Sequence, residues 1–232
     1  KLKEHALFLK NNTLDNITDS FINSLEKCNG VNIKWKNILY LWKLFLNKKN
    51  IPSIVFNSKL KSILTSKIKY DEENEVFLNI TSIHLPLVSK FLKFWDETMI
   101  KDEDEIDMEI GEICYLFKNW SKNTSIAENN VIDLIQHFYN DVIIEEDKYI
   151  NQISCKLWNK KEDILNILND YKLSKKGVLI ADNLHNVYQY YCEIYKDKQY
   201  IISKRYFEKT VIDLIGCEFI ENNLINPLWW NS

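Results

Sequence analysis

Glycine and proline are scarce in this chain, 4 and 3 among 232 residues. Both residues punctuate tight turns, so a fold of many short strands joined by turns is disfavoured and long helices are expected. Four glycines also leave no Gly-rich phosphate loop and no dinucleotide-binding turn. The five cysteines, Cys28, Cys114, Cys155, Cys192 and Cys217, are odd in number and none stands in a Cys-x-x-Cys pair. That argues against a disulfide framework and a zinc finger, and fits reduced thiols in an intracellular compartment, cytoplasm or nucleus. The four histidines (His5, His84, His137, His185) lie far apart with no paired metal-ligand spacing. No Gly-x-Ser-x-Gly elbow occurs. No charged n-region precedes an apolar run, so no signal peptide is expected. The longest apolar stretch, 38–46, is broken by Lys43 and too short to span a bilayer. No catalytic centre, cofactor, metal or membrane partner is expected.

Hydrophobic residues make up 46% of the chain and charged residues 27%. That composition suits a packed core rather than disorder. The length allows one large domain or two to three small ones. The chain opens at Lys1 rather than Met, which reads as a piece of a longer protein.

Three segments repeat one pattern. The first has an aromatic helix through Leu41, Trp42 and Phe45, a turn at Pro52, and a second helix from Asn57 to Leu64. Apolar alternation follows, Ile68 and Tyr70 before a polar tip at 71–74, then Val76, Leu78 and Ile80, which is a hairpin signal. The second segment has a helix from Ile113 to Trp120, a turn at 121–125, a helix through Val131, Leu134 and Phe138, and a hairpin with its tip at 145–148. The third has Val187 to Ile194, a turn at 196–199, a helix from Ser203 to Val211, and a hairpin with its tip at 221–223. Trp42, Phe117 and Tyr191 are spaced by 75 and 74 positions, and an amphipathic helix precedes each unit. The expected fold is mainly α, built of tandem helix-turn-helix or winged-helix units with short β-hairpin wings. The expected boundaries are 1–82, 83–160 and 161–232.

The net charge of −3 hides a strong partition. Between Val31 and Tyr70 there are nine lysines and no acid, a local charge of +9. Between Asp102 and Asp147 thirteen acids face two lysines, giving −11. Between Lys172 and Thr210 seven lysines and Arg205, the single arginine, face four acids, giving +4. Phosphate contact needs cations, and the second helix of such a motif enters the groove. The candidate nucleic-acid contacts are therefore Asn57, Lys59, Lys61, Lys67 and Lys69 in the first unit, and Ser203, Lys204, Arg205 and Lys209 in the third. Arginine alone can grip phosphate or guanine in a two-pronged way. The acidic middle unit should repel DNA, and its role is structural or that of a docking face for a basic partner or a basic neighbour in the same chain. The acids at 102–109 read as complements to the positive end of the following helix rather than as metal ligands.

The third segment, Val187-Tyr-x-x-Tyr-Cys192 followed by Ser203-Lys-Arg-x-Phe207-x-x-x-Val211, resembles the C-terminal winged-helix region of poxvirus-type superfamily 3 primase–helicases of large DNA viruses. The resemblance covers about the last 45 residues. It implies a nucleic-acid-binding accessory region of a viral DNA replication protein, with DNA rather than RNA as partner and the ATPase lying before Lys1. The alternative is a protein–protein scaffold that docks partners, such as other replication proteins, through its acidic unit and its aromatic C-terminus, Pro227-Leu-Trp-Trp230.

Overall fold

The computed structural model describes residues 13–52, 55–103, 105, 108–198 and 200–232. The chain is mostly helical, with several small antiparallel sheets, and forms two compact units, Lys1–Leu92 and Lys93–Ser232.

In the first unit, α1 (Leu14–Ile22) is capped by Thr13, whose hydroxyl accepts from Asn16 N at 3.2 Å. Strand β1 (Glu26–Lys34) runs directly into α2 (Trp35–Lys49), and α3 (Asn57–Lys67) follows. Asn50 ends α2 in the left-handed conformation at φ 54°, a position asparagine tolerates better than most side chains. Ile38, Leu41, Trp42 and Leu46 recur at helical spacing on α2 and are buried. They pack with Phe21, Ile33, Leu60, Leu64 and Phe77 into one core. Each such side chain stabilises the fold by about 1.5–3 kcal/mol when fully buried. The hairpin is β2 (Tyr70–Asp71) and β3 (Val76–Thr81), and β3 also pairs with β1, giving the order β1-β3-β2.

Two more copies of that order follow. After α4 (Leu85–Thr98), β4 (Met99–Lys101) pairs with the later β8 (Ile153–Cys155). Strand β5 (Met108–Glu109) leads into α5 (Ile110–Trp120) and α6 (Glu128–Phe138). The hairpin β6 (Ile144–Glu145) and β7 (Tyr149–Ile150) then closes a sheet of order β5-β7-β6. The last copy is α7 (Lys160–Ser174), β9 (Asp182–Asn183), α8 (Leu184–Ile194), α9 (Lys204–Ile215), and the hairpin β10 (Ile220–Glu221) and β11 (Leu224–Ile225). Its sheet order is β10-β11-β9, and α10 (Pro227–Asn231) ends the chain. Its core gathers Ile164, Tyr171, Tyr191, Tyr206, Phe207 and Trp230.

Helix, strand, helix, helix, hairpin therefore occurs three times. In each copy the strand before the paired helices joins the hairpin's second strand. The helices and hairpins lie where the sequence pattern puts them. The leading strands β1, β5 and β9 are additions, as is the β4–β8 pair. Two residues of β5 or β9 carry no readable alternation.

Candidate interaction surfaces

Helix α3 buries only Leu60 and Leu64. Asn57, Ser58, Lys59, Ser62 and Ser66 are exposed on it, and Lys61 and Thr65 are half-buried. This outward face carries no carboxylate; Ile63 is half-buried on it, and the N-cap residue Phe56 is exposed at its start. Lys59 and Lys69 are exposed and make no ion pair among the described residues. Two of the other expected contacts are already engaged. Lys61 Nζ lies 3.4 Å from Glu75 and 5.0 Å from the Tyr70 ring centre. Its pKa is raised by the Tyr70 hydroxyl and then by Glu75. Lys67 Nζ lies 2.8 Å from Asp19 and 3.4 Å from Asp15, and those two carboxylates raise its pKa. Asp15 and Asp19 stand four apart on α1, so one helix face presents both; nothing local to Lys67 signals them.

On α9, Ser203 is the N-cap and accepts from Tyr206 N at 3.3 Å. Its oxygen is committed to capping the start of the helix. Lys204 pairs with Glu208 at 3.5 Å along the same helix. The Arg205 guanidinium stacks over the Tyr149 ring at 4.5 Å, joining the third copy to the hairpin of the second. Lys209 is exposed.

The hairpin tips share a feature that position in the chain does not reveal by itself. Residues 71–75 carry four carboxylates and no cation. Residues 145–148 carry three against Lys148, and residues 221–223 carry Glu221 alone. Glu72, Glu73, Glu145, Glu146, Asp147 and Glu221 are all exposed and make no ion pair among the described residues. The backbone fixes these tips. Asp71 accepts from Asn74 Nδ2, Asn74 N and Glu73 N, and these bonds, the Asn74 side chain's first, lower its pKa. Glu75, Glu146, Asp147, Asn222 and Asn223 take positive φ. Asn222 and Asn223 are the two-residue loop of a mirror-image hairpin turn, whose twist matches that of the strands. Lys148 turns back, 3.7 Å from Glu109 and over Tyr149.

The acids at 102–109 divide by role. Glu109 caps α5 in a reciprocal arrangement with Glu112, whose Oε2 accepts from Glu109 N at 3.0 Å. Glu105 and Glu112 turn inward to Lys160. Asp104 and Asp107 lie outside the described residues. Among the described residues no group of three or more metal-ligating side chains converges. No helix there is long and apolar enough to cross a membrane. All five cysteines are free thiols, and burial pushes Cys114 up to about 11, far from a reactive thiolate. At the C-terminus Trp230 is buried and Trp229 half-buried, so the aromatic pair is largely core rather than surface.

No family model matches the chain, and no curated protein or solved structure matches it significantly.

Proposed function

We propose that this chain is a non-catalytic docking module, tandem winged-helix in architecture, whose acidic hairpin tips receive cationic segments of partner proteins. The observation that carries this reading is the set of three exposed tips with a net charge of −4 over 71–75, −2 over 145–148 and −1 over 221–223. A wing that grips nucleic acid must neutralise phosphates, and carboxylates at its apex repel them. The same tips attract lysine-rich protein segments and select against acidic ones. The engagement of Ser203, Lys204 and Arg205 within the second unit supports the same view. Free thiols suit an intracellular setting. Reversing the middle tip (Glu145→Lys, Glu146→Lys, Asp147→Lys) should weaken binding of a lysine-rich peptide by about tenfold at low salt, since several exposed pairs are lost together. Unchanged peptide affinity in isothermal titration would remove the tips from the interface.

A second reading rests on α3. A helix face of Asn, Ser, Thr and Lys without a carboxylate suits a nucleic-acid groove, and Lys59 and Lys69 have charge to give. With the likeness of the third copy to primase–helicases, it makes the first unit a DNA-binding accessory of a viral replication protein, its ATPase elsewhere. On this reading Lys59→Ala with Lys69→Ala weakens DNA binding uniformly across sequences and lowers the salt slope by about 2. A salt slope that stays put contradicts it.

A further inference from the structure

The loop between α7 and β9 is built to hold apolar side chains out in solvent. Residues 176–181 are all exposed, and Leu179 and Ile180 are 83% and 78% exposed. Loops that run over a surface are usually polar. This one is also braced rather than loose. Trp230 Nε1 and Asn231 Nδ2 both donate to the Val178 carbonyl, at 2.8 and 2.9 Å. Gly177 N donates to Asn231 Oδ1 at 2.8 Å, and Gly177 takes the positive φ that the turn needs. Across the neck, Lys175 pairs with Asp182 at 2.6 Å and the Tyr171 hydroxyl donates to the same carboxylate. The C-terminal helix thus fixes an aliphatic knob, with Lys172, Lys175 and Lys176 at its base and Leu173 exposed in the last turn of α7.

The same unit carries an open cavity. A cavity of about 280 Å³ is lined by Trp95, Met99, Tyr139 and Ile153, with Asp96 and Asp141 among its polar groups. Its walls are set: Trp95 stacks on Tyr139 with ring centres 4.9 Å apart, and the Tyr139 hydroxyl donates to Asp96 at 2.8 Å. Lys101 also lines it and pairs with Asp141 at 2.7 Å, so the lining is left with one net negative charge. The base of the knob is net positive, because Asp182 offsets only Lys175 among its three lysines.

We propose that the knob of one copy seats Leu179 and Ile180 in this cavity of a second copy. The aliphatic tip meets Trp95, Met99, Ile100, Val142 and Ile153 of a mixed wall, and the cationic base meets its anionic polar groups. Reciprocal seating gives a closed dimer, in which each copy offers both surfaces. This contact is independent of the acidic hairpin tips, so a chain with the middle tip reversed still self-associates if the proposal holds.

Sedimentation velocity of the full chain across a concentration series tests it. The expected result is a concentration-dependent shift from monomer to dimer that persists at about 0.5 M salt, where exposed charge pairs are screened. Leu179→Asp with Ile180→Asp, both on an exposed loop, should leave the thermal melt unchanged and abolish the shift. Ile100→Cys chains mixed with Ile180→Cys chains should form a cross-linked heterodimer beyond the background set by exposed Cys217, since Ile100 lines the cavity. A chain that stays monomeric at every concentration overturns the proposal. So does a dimer that survives the loop substitutions, or a loop that binds anionic vesicles or another protein while the chain itself stays monomeric.

Discussion

Lys160→Met is expected to destabilise the second unit by about 3–5 kcal/mol at neutral pH, because it leaves two buried carboxyl groups without their counter-charge. Lys160 is the first residue of α7 and its side chain is 2% exposed. Its ammonium donates to Glu112 Oε2 at 3.1 Å and lies 3.3 Å from Glu105 Oε1, with Glu112 wholly buried and Glu105 7% exposed. The Tyr206 ring covers it at 3.6 Å. Glu105 and Glu112 belong to the second copy, Lys160 and Tyr206 to the third, so this cluster ties the two together. Glu112 Oε1 has no hydrogen-bond partner among the described residues, and Glu112 Oε2 is held by Lys160 and by Glu109 N, so the lysine supplies the counter-charge to this carboxylate.

The pH dependence follows from the balance of two carboxylates against one ammonium. Burial raises the pKa of Glu112 by more than the Lys160 ammonium and the Glu109 N–H together lower it. A carboxyl group with a folded pKa above its unfolded value stabilises the fold when protonated. That contribution is lost as pH rises from the ordinary carboxyl value through the folded one. Without Lys160 the folded value rises again. The deficit of the variant should therefore be largest at pH 7 and shrink toward pH 5, as the stranded carboxyls take up protons. Urea denaturation at both pH values reads this, and Glu112→Gln placed beside Lys160→Met should recover part of the loss. A variant within about 1 kcal/mol of the parent at pH 7 would show that water reaches the cluster freely.

Trp230→Ala is expected to cost about 3–5 kcal/mol, the usual result of emptying a buried aromatic site. Trp230 is 2% exposed and packs in the core of the third copy although it stands two residues from the end of the chain. Trp230→Phe keeps most of the buried ring and loses the bond to the Val178 carbonyl, so it should cost about 1–2 kcal/mol. The alanine variant should also open the 176–181 loop to limited proteolysis before the rest of the unit unfolds. Wild-type melting and protease resistance in Trp230→Ala would mean that the C-terminal helix does not brace the loop.

The long elements were legible in the sequence because their signals are local. Ile38, Leu41, Trp42 and Leu46 mark a helix face, and the polar tips between alternating residues mark hairpins. Strands β5 and β9 were not, since two residues give no period and their pairing is set by partners some 40 positions away. The lysine count of the first unit was correct, but the availability of each lysine depends on residues distant in the chain. Lys67 meets Asp15 and Asp19, 52 and 48 positions earlier. Arg205 is a phosphate-ligand candidate by residue type, and the fold brings Tyr149 beneath it, a contact that no local pattern signals. Ser203 was open to a local reading: a serine immediately before an apolar-periodic run is an N-cap signal, and it caps α9. The acidic tips were visible in the sequence throughout. Their meaning emerges once three hairpins with one topology are seen to carry the same sign of charge.

The most direct test compares two ligands on one sample of the chain: a labelled lysine-rich peptide, and labelled single- and double-stranded DNA, by fluorescence anisotropy from about 20 to about 200 mM salt. Docking through the acidic tips predicts peptide binding that weakens with salt, with DNA bound more weakly than the peptide at every salt concentration. DNA bound more tightly than the peptide, with a steep salt slope, contradicts that account and gives the lysine face of α3 the leading role.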